Sequence, residues 1–441
     1  MKIAYITGGS AGMICGTCMH DNTLASSLME RGHEVSLLPT YTQLRLDEES
    51  VATDKIFFGA INVYLQQKAG FFRRFRLFDK LLDSRSVLGL ISKLGVSSTS
   101  AEDLGSLTLS MMQGENGFQA RELDKLVDFL EEIIRPEVVH LSFTLFAGFA
   151  KRIKERLGVP VVCSLQGEDL FYDDLIEPYR RQTLEELAAR MDDIDLFTSH
   201  SRYYADLMSE RYGVPRDRTV ITKLGIRTEG FRDASERTSN ALHIGYLARQ
   251  CPEKGLHLLV DAFRLAAEDV PELRLHVAGY QGGKDKSFIE EQHQKIDQAG
   301  LGHRVLWRGA IDRTEKLRFL ADLDLFSVPA VYHEPKGLYV AEALASGVPV
   351  LLPNHGAFPE WIEQTGGGRL VESDSAEALA EEMKALARDA EARRELARQG
   401  RRIIHGEFHH EAMADEMEGI YEGVLTSVSD VGSGKLAESA A

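Results

Sequence analysis

The chain has 441 residues, with 51 Lys and Arg against 68 Asp and Glu, a formal net charge of −17. At roughly 150 residues per domain the length predicts two or three domains, each large enough to bury a core without disulfides or metals. The acid excess argues against nucleic acid as the main partner, because such binding draws its affinity from Lys and Arg on phosphates, yet it leaves room for one local basic pocket around a phosphate-bearing small molecule.

The first apolar run, KIAYITG (2–8), has strand length and passes straight into glycines, too short for a signal-peptide core. Further runs follow at 34–41, 137–142, 160–167, 196–201 and 219–225, with helical patterns such as DNTLASSLMERG and RELDKLVDFLEEII between them. A second series, ALHIGYLA, LRLHVAG, HRVLWRG, LDLFSVPA, PVLLPN and GRLVES, repeats the theme with helices such as KGLHLLVDAFRLAAED. Apolar strands joined by helices predict parallel sheets covered on both faces. Two such series predict two doubly wound α/β domains: 1–227 on the acceptor side, interrupted by an insertion at 55–125, and 241–405. The polar, aperiodic stretch TEGFRDASERTSN between them reads as the seam. A helix over 406–426 is expected to pack back on the first domain, and the small, polar 427–441 to be disordered. No window approaches ~20 consecutive apolar residues, and the four cysteines, Cys15, Cys18, Cys163 and Cys251, suit a reducing compartment. The expectation is a cytoplasmic protein.

Ligands of such sheets sit at the carboxyl ends of the strands, so the loops there carry the chemistry. In VYHEPKGLYVAEALASG, Gly337 opens a helix whose first amides, on Gly337, Leu338 and Tyr339, form an anion site with the helix dipole. Glu334 stands before the turn and Glu342 inside the helix, so an anion there has a carboxylate on either side. Carboxylates accept from hydroxyls, and phosphate between hydroxyl-binding groups describes a nucleotide sugar. A surface helix with two solvated glutamates is the plainer alternative. Arg249 and Lys254 follow the first strand of the second domain, five residues apart, where two cations can converge on one diphosphate. Lys254 opposes the dipole of the helix it precedes, a local disadvantage of the kind that marks function.

Three stretches together resemble the retaining glycosyltransferases of the GT4 family, which have the GT-B fold. GYLARQCPEKGLHLLVDAF is similar to the family's Arg-x4-Lys-Gly loop. HEPKGLYVAEALASGVPVLLPNHGAFPEWI is similar to its E-x7-E signature, with Glu334 and Glu342 as the two glutamates. KIAYITGGSAG with LMERGHEVSLL resembles its first βαβ unit. The resemblance implies two Rossmann-like domains facing a central cleft. It implies Arg249 and Lys254 on the donor diphosphate, Glu342 on the ribose and Glu334 on the transferred hexose of a UDP- or GDP-sugar. It implies transfer with retention to a hydroxyl of a carbohydrate or other acceptor, by preorganised electrostatics and without a metal or other cofactor. Two positions depart from the family. Lys336 stands where Phe is common, and Gln166, in SLQGED, where a His lies beside the transferred sugar. Gln can hydrogen-bond but cannot act as a cation or general base. A GT-B protein that binds sugar nucleotides with impaired transfer, or an α-glucoside synthase or phosphorylase on the same fold, is therefore the alternative.

Weaker signals remain. Gly8–Gly12 matches a nucleophile-elbow pattern at Ser10, but after the first strand rather than a later one. Cys15-Gly-Thr-Cys18 reads as a tight loop before a helix, with a redox pair as the alternative. Gly16, His20 and Asp21 beside it are acceptor-side candidates. His140 is either an acceptor contact or a satisfied core histidine. Asp193–Asp195 and Asp322–Asp324 read as strand flanks rather than metal ligands. The basic, aromatic KAGFFRRFRLFDK (68–80) either contacts an anionic membrane or acceptor, or buries its Phe face.

Overall fold

The structure, a computed structural model, describes residues 1–9, 15–57, 101–234 and 241–438, with 428–438 as backbone only. Ser10 and the 68–80 segment lie outside the described residues.

The chain forms two compact units, one of Met1–His200, Tyr204–Thr222 and Ala414–Ala441, the other of Ser201–Tyr203 and Lys223–Met413. The first holds β1 (Lys2–Thr7), β2 (Glu34–Pro39), β3 (Val138–Leu141), β4 (Val161–Leu165), β5 (Leu196–Ser199) and β6 (Thr219–Ile221). They form a six-stranded sheet in the order β2-β1-β3-β4-β5-β6, parallel throughout. β3 and β4 are buried at every position, as a sheet covered on both faces requires. Helix α1 (Gly16–Glu30) follows β1, with Cys15 as its N-cap. Asp195 accepts the amide of Val161 at 2.8 Å, fixing the entry to β4.

The second unit holds β7 (Leu242–Leu247), β8 (Leu273–Ala278), β9 (Val305–Trp307), β10 (Leu325–Phe326), β11 (Val350–Pro353) and β12 (Gly368–Val371), again six parallel strands, ordered β12-β11-β10-β7-β8-β9. Helices α2 (Leu256–Asp269), α3 (Arg313–Ala321) and α4 (Leu338–Ala345) matter below. The Asp324 carboxylate accepts the amide of His243 at 2.8 Å, so this acid, like Asp195, serves a strand flank.

Both sheets reverse their winding inside. The reversal lies between β1 and β3 in the first unit and between β7 and β10 in the second, and at such points the diverging loops open a crevice.

The division differs from the expected boundaries in two places. The chain passes into the second unit at Lys223, ahead of residue 227, because Leu224 and Ile226 join that unit's core. Ile226 also exchanges backbone hydrogen bonds with Phe408 and His410, at 3.0 and 2.9 Å. The last helix, α5 (His410–Glu438), runs through most of the stretch expected to be disordered. Thr426 and Ser427 donate to the carbonyls of Glu422 and Gly423, so their hydroxyls bond back along the helix instead of competing with it.

Candidate active site

Sequence places Lys254 and Glu334 eighty residues apart; the β7/β10 reversal brings their loops together. Past β7 the chain turns through Pro252–Lys254 to Gly255, which sits at φ 68°. A Cβ on Gly255 would fall 1.7 Å from the carbonyl oxygen of Pro329, in the loop after β10. Only glycine allows this approach, and Val331 N–H donates to the Glu253 carbonyl at 3.0 Å beside it. Gly255→Ala should therefore separate the two loops. We expect a loss of about 3 kcal/mol or more, as for an unrelieved clash at a special backbone site, read as a drop in the urea midpoint.

Glu334 is 5% exposed. Its Oε2 accepts from Lys254 Nζ at 2.6 Å, Tyr332 Oη at 2.7 Å and Tyr339 Oη at 2.9 Å, and its Oε1 from the Gly337 amide at 3.3 Å. Burial opposes its ionisation, but the Lys254 charge and these hydrogen bonds prevail and hold the carboxyl at about 2. The ammonium also lies over the rings of Tyr332 and Tyr339, 4.8 and 5.0 Å from their centroids. Gly337, at φ 72°, is the N-cap of α4, whose first turn carries Leu338 and Tyr339. The loop after β11 fixes Glu334 from behind: Ala357 N–H donates to its carbonyl at 2.8 Å, and a Cβ on Gly356 would strike its backbone at 2.7 Å.

The structure adds carboxylate partners to the sequence reading. Arg249 pairs with Glu253 at 3.0 Å and Lys254 with Glu334. The Gly337 amide is likewise engaged, by Glu334. A buried carboxylate is stable only beside a counter-charge, and Lys254 provides it for Glu334. Two further residues escaped the sequence reading. Tyr332 lacked any motif, and Lys316, on α3, pairs with Glu342 at 2.5 Å with both groups buried.

In the first unit the ends of β1, β3 and β4 meet around Asp21, which is fully buried. Its Oδ1 accepts from Tyr5 Oη and Gln166 Nε2, each at 2.9 Å, and lies 3.3 Å from His20 Nδ1. Its Oδ2 accepts from Thr7 Oγ1 at 2.7 Å and Ser142 Oγ at 2.5 Å. Burial works against the charge, and the hydrogen bonds and His20 outweigh it, holding the carboxyl below its ordinary value. Gln166 Nε2 also donates to the Ser142 carbonyl at 2.9 Å, which fixes the amide plane.

Asp21, His20 and His140 are all buried in the first unit. His140 is fully buried and stacks on Tyr5 at 4.3 Å. Its Nδ1 lies 2.6 Å from Tyr421 Oη on α5 and its Nε2 2.7 Å from Ser164 Oγ. Burial pushes it down to about 3, so it stays neutral; the core-histidine alternative holds. Gly16 opens α1 and is partly exposed. Cys15 and Cys18 are not joined by a disulfide.

Two Rossmann-like units, each with charged groups gathered at a reversal of strand order, define the GT-B class of glycosyltransferase. The chain belongs to the GT4, group 1 glycosyltransferases: the family described as Glycosyl transferases group 1 matches residues 228–403, and Glycosyltransferase Family 4 matches 108–229. Among curated relatives, the putative colanic acid biosynthesis glycosyltransferase WcaL of Escherichia coli K12 is 25% identical over 222 residues, 49% of this chain and 53% of that protein. The lipopolysaccharide core biosynthesis mannosyltransferase LpsB of Rhizobium meliloti is 29% identical over 252 residues, 54% of this chain and 68% of that one. The match thus spans about half the length of the first and two thirds of the second. Anabaena Alr3699/HepE, solved with UDP and glucose, superposes with a TM-score of 0.66 over 96% of this chain and 100% of that one, at 17% identity. That likeness establishes the fold. Among the described residues no helix is long and apolar enough to cross a membrane.

Proposed function

We propose that the chain is a retaining hexosyltransferase that moves a hexose from a nucleotide-diphosphate sugar to an acceptor hydroxyl, with no metal in the transfer step. One observation carries this reading: the buried Glu334 carboxylate accepts from the half-buried Lys254, Tyr332 and Tyr339 in a single hydrogen-bonded group at the N-terminus of α4. The GT4 relatives support it, LpsB being named a mannosyltransferase.

The chemistry follows from the charges. The C1–O bond to the diphosphate breaks, the acceptor oxygen attacks the same face of the oxocarbenium-like carbon, and the acceptor proton leaves with the diphosphate. The diphosphate gains charge as the bond breaks. Lys254, Arg249 and the amides of Leu338 and Tyr339 stabilise that charge without reorganising. Glu334 accepts from hexose hydroxyls, and Glu342 from those of the ribose. The first unit supplies the acceptor side, with Gln166 held by Asp21 as its polar contact.

A thermal-shift panel of UDP-, GDP- and ADP-sugars identifies the donor, since a ligand of the native state raises Tm. The HepE complex makes UDP-glucose the first to try. Release of the nucleoside diphosphate with an acceptor panel then measures transfer. Turnover that survives both Glu334→Ala and Lys254→Ala would refute the assignment. Gln166 favours a second reading, a sugar-nucleotide-binding protein without transfer. Donor binding with no turnover, and turnover regained in Gln166→His, would establish it instead.

A further inference from the structure

The buried stripe of α3 contains an anomaly. Its buried residues are Lys316, Phe319 and Leu320, the i, i+3, i+4 spacing of a core-facing stripe. Lys316, 5% exposed, occupies a position where this pattern calls for an apolar side chain. It also lies in the first turns of a helix begun by the Asp312/Glu315 capping box, where the dipole disfavours a cation. Its ammonium meets Glu342, 7% exposed, in the part of α4 that is buried all round, with Val340, Ala341, Ala343, Leu344 and Ala345 buried beside it. A buried ion pair of this kind rarely stabilises a fold more than apolar residues of the same volume would. Two adjacent helices each giving up a core position therefore calls for a reason other than stability.

We propose that Lys316 is a positioning residue for nucleotide recognition. It fixes Glu342 as a charged, oriented acceptor for the hydroxyls of the donor's ribose. The inference rests on the transferase reading above and extends it to a residue that contacts no substrate. A carboxylate without its ammonium would rotate to other donors. Lys316 prevents this by its 2.5 Å contact, and the capping box sets the start of the helix from which it reaches.

The test compares dissociation constants by calorimetry for the nucleoside diphosphate that the wild-type chain binds best among UDP, GDP and ADP and for its 2′,3′-dideoxy counterpart. Two charge-assisted hydrogen bonds should make the wild type prefer the ribose form by about 10- to 100-fold. In Lys316→Met the ratio should fall to about 3-fold or less, and in Lys316→Arg most of it should return. Because Lys316→Met strands a buried carboxylate, the double variant Lys316→Met/Glu342→Gln provides a folded control: Tm should recover while the ratio stays low. A ratio that recovers with Tm, or that survives in Lys316→Met, overturns the positioning role and leaves the transferase reading intact. A wild-type chain that binds none of the three nucleotides overturns both.

Discussion

Lys254→Met should lower transfer by about 10²- to 10³-fold, the usual effect of removing one preorganised donor to developing charge. The same change should destabilise the second unit by about 3–5 kcal/mol, because it strands the buried Glu334 carboxylate. Acid unfolding separates the two effects. The Glu334 carboxyl is held at about 2 against an ordinary 4.5, a lowered group. Its stabilisation is complete above pH ~4.5 and is lost as the pH falls toward 2, a difference worth about 3 kcal/mol at 1.36 kcal/mol per pH unit. Urea unfolding at pH 6 and pH 3 should show a smaller difference in Lys254→Met than in the wild type, since the charge that lowers Glu334 is gone. Equal differences would mean that the pair does not form in solution. Glu334→Gln should lose transfer comparably with a smaller stability loss, because an amide keeps hydrogen-bonding capacity while removing the charge.

Asp21→Ala should be among the most damaging single changes in the first unit. It leaves Tyr5 Oη, Thr7 Oγ1, Ser142 Oγ and Gln166 Nε2 without their common acceptor. At ~1–3 kcal/mol for each buried donor left unsatisfied, with some rescue by water entering the cavity, the loss should exceed about 4 kcal/mol. Urea unfolding reads it directly, and a loss below about 1 kcal/mol would show that the network is not formed. Thr7→Val, which removes one donor and leaves the acceptor well served, should cost about 1 kcal/mol. Asp21 helps to set the amide plane of Gln166, so the Gln that stands where the family's His is expected is held in place by a carboxylate that also ties three strand ends together.

Much of the fold was legible because parallel strands covered on both faces read as short, continuous apolar runs. The twelve strands of the described residues all fall within the runs picked out in the sequence, from KIAYITG to GRLVES. The loops after β7 and β10 were legible for a different reason: their Lys-Gly and Glu-x7-Glu spacings are local and carry the GT4 resemblance. The buried partners were not legible. Tyr332 and Lys316 lie in unremarkable sequence, and a lysine inside a short helix reads as a solvated face. His140 stood out because strand ends face crevices and Asp21 because it follows the Cys15–Cys18 loop, and only packing shows that Tyr421, nearly three hundred residues further on, closes over the histidine.

By itself the sequence determined the two α/β units, the family and the strand ends that carry the charged groups, since all of these rest on local periodicity and spacing. The tertiary structure decided which charges neutralise which. It set Glu334 against Lys254, Glu342 against Lys316 and Glu253 against Arg249. Spacing can place a cation and a carboxylate at one end of a sheet. Whether they await a ligand or already hold each other depends on distances of a few ångströms, and the close approach of separate loops at glycines such as Gly255 fixes those distances.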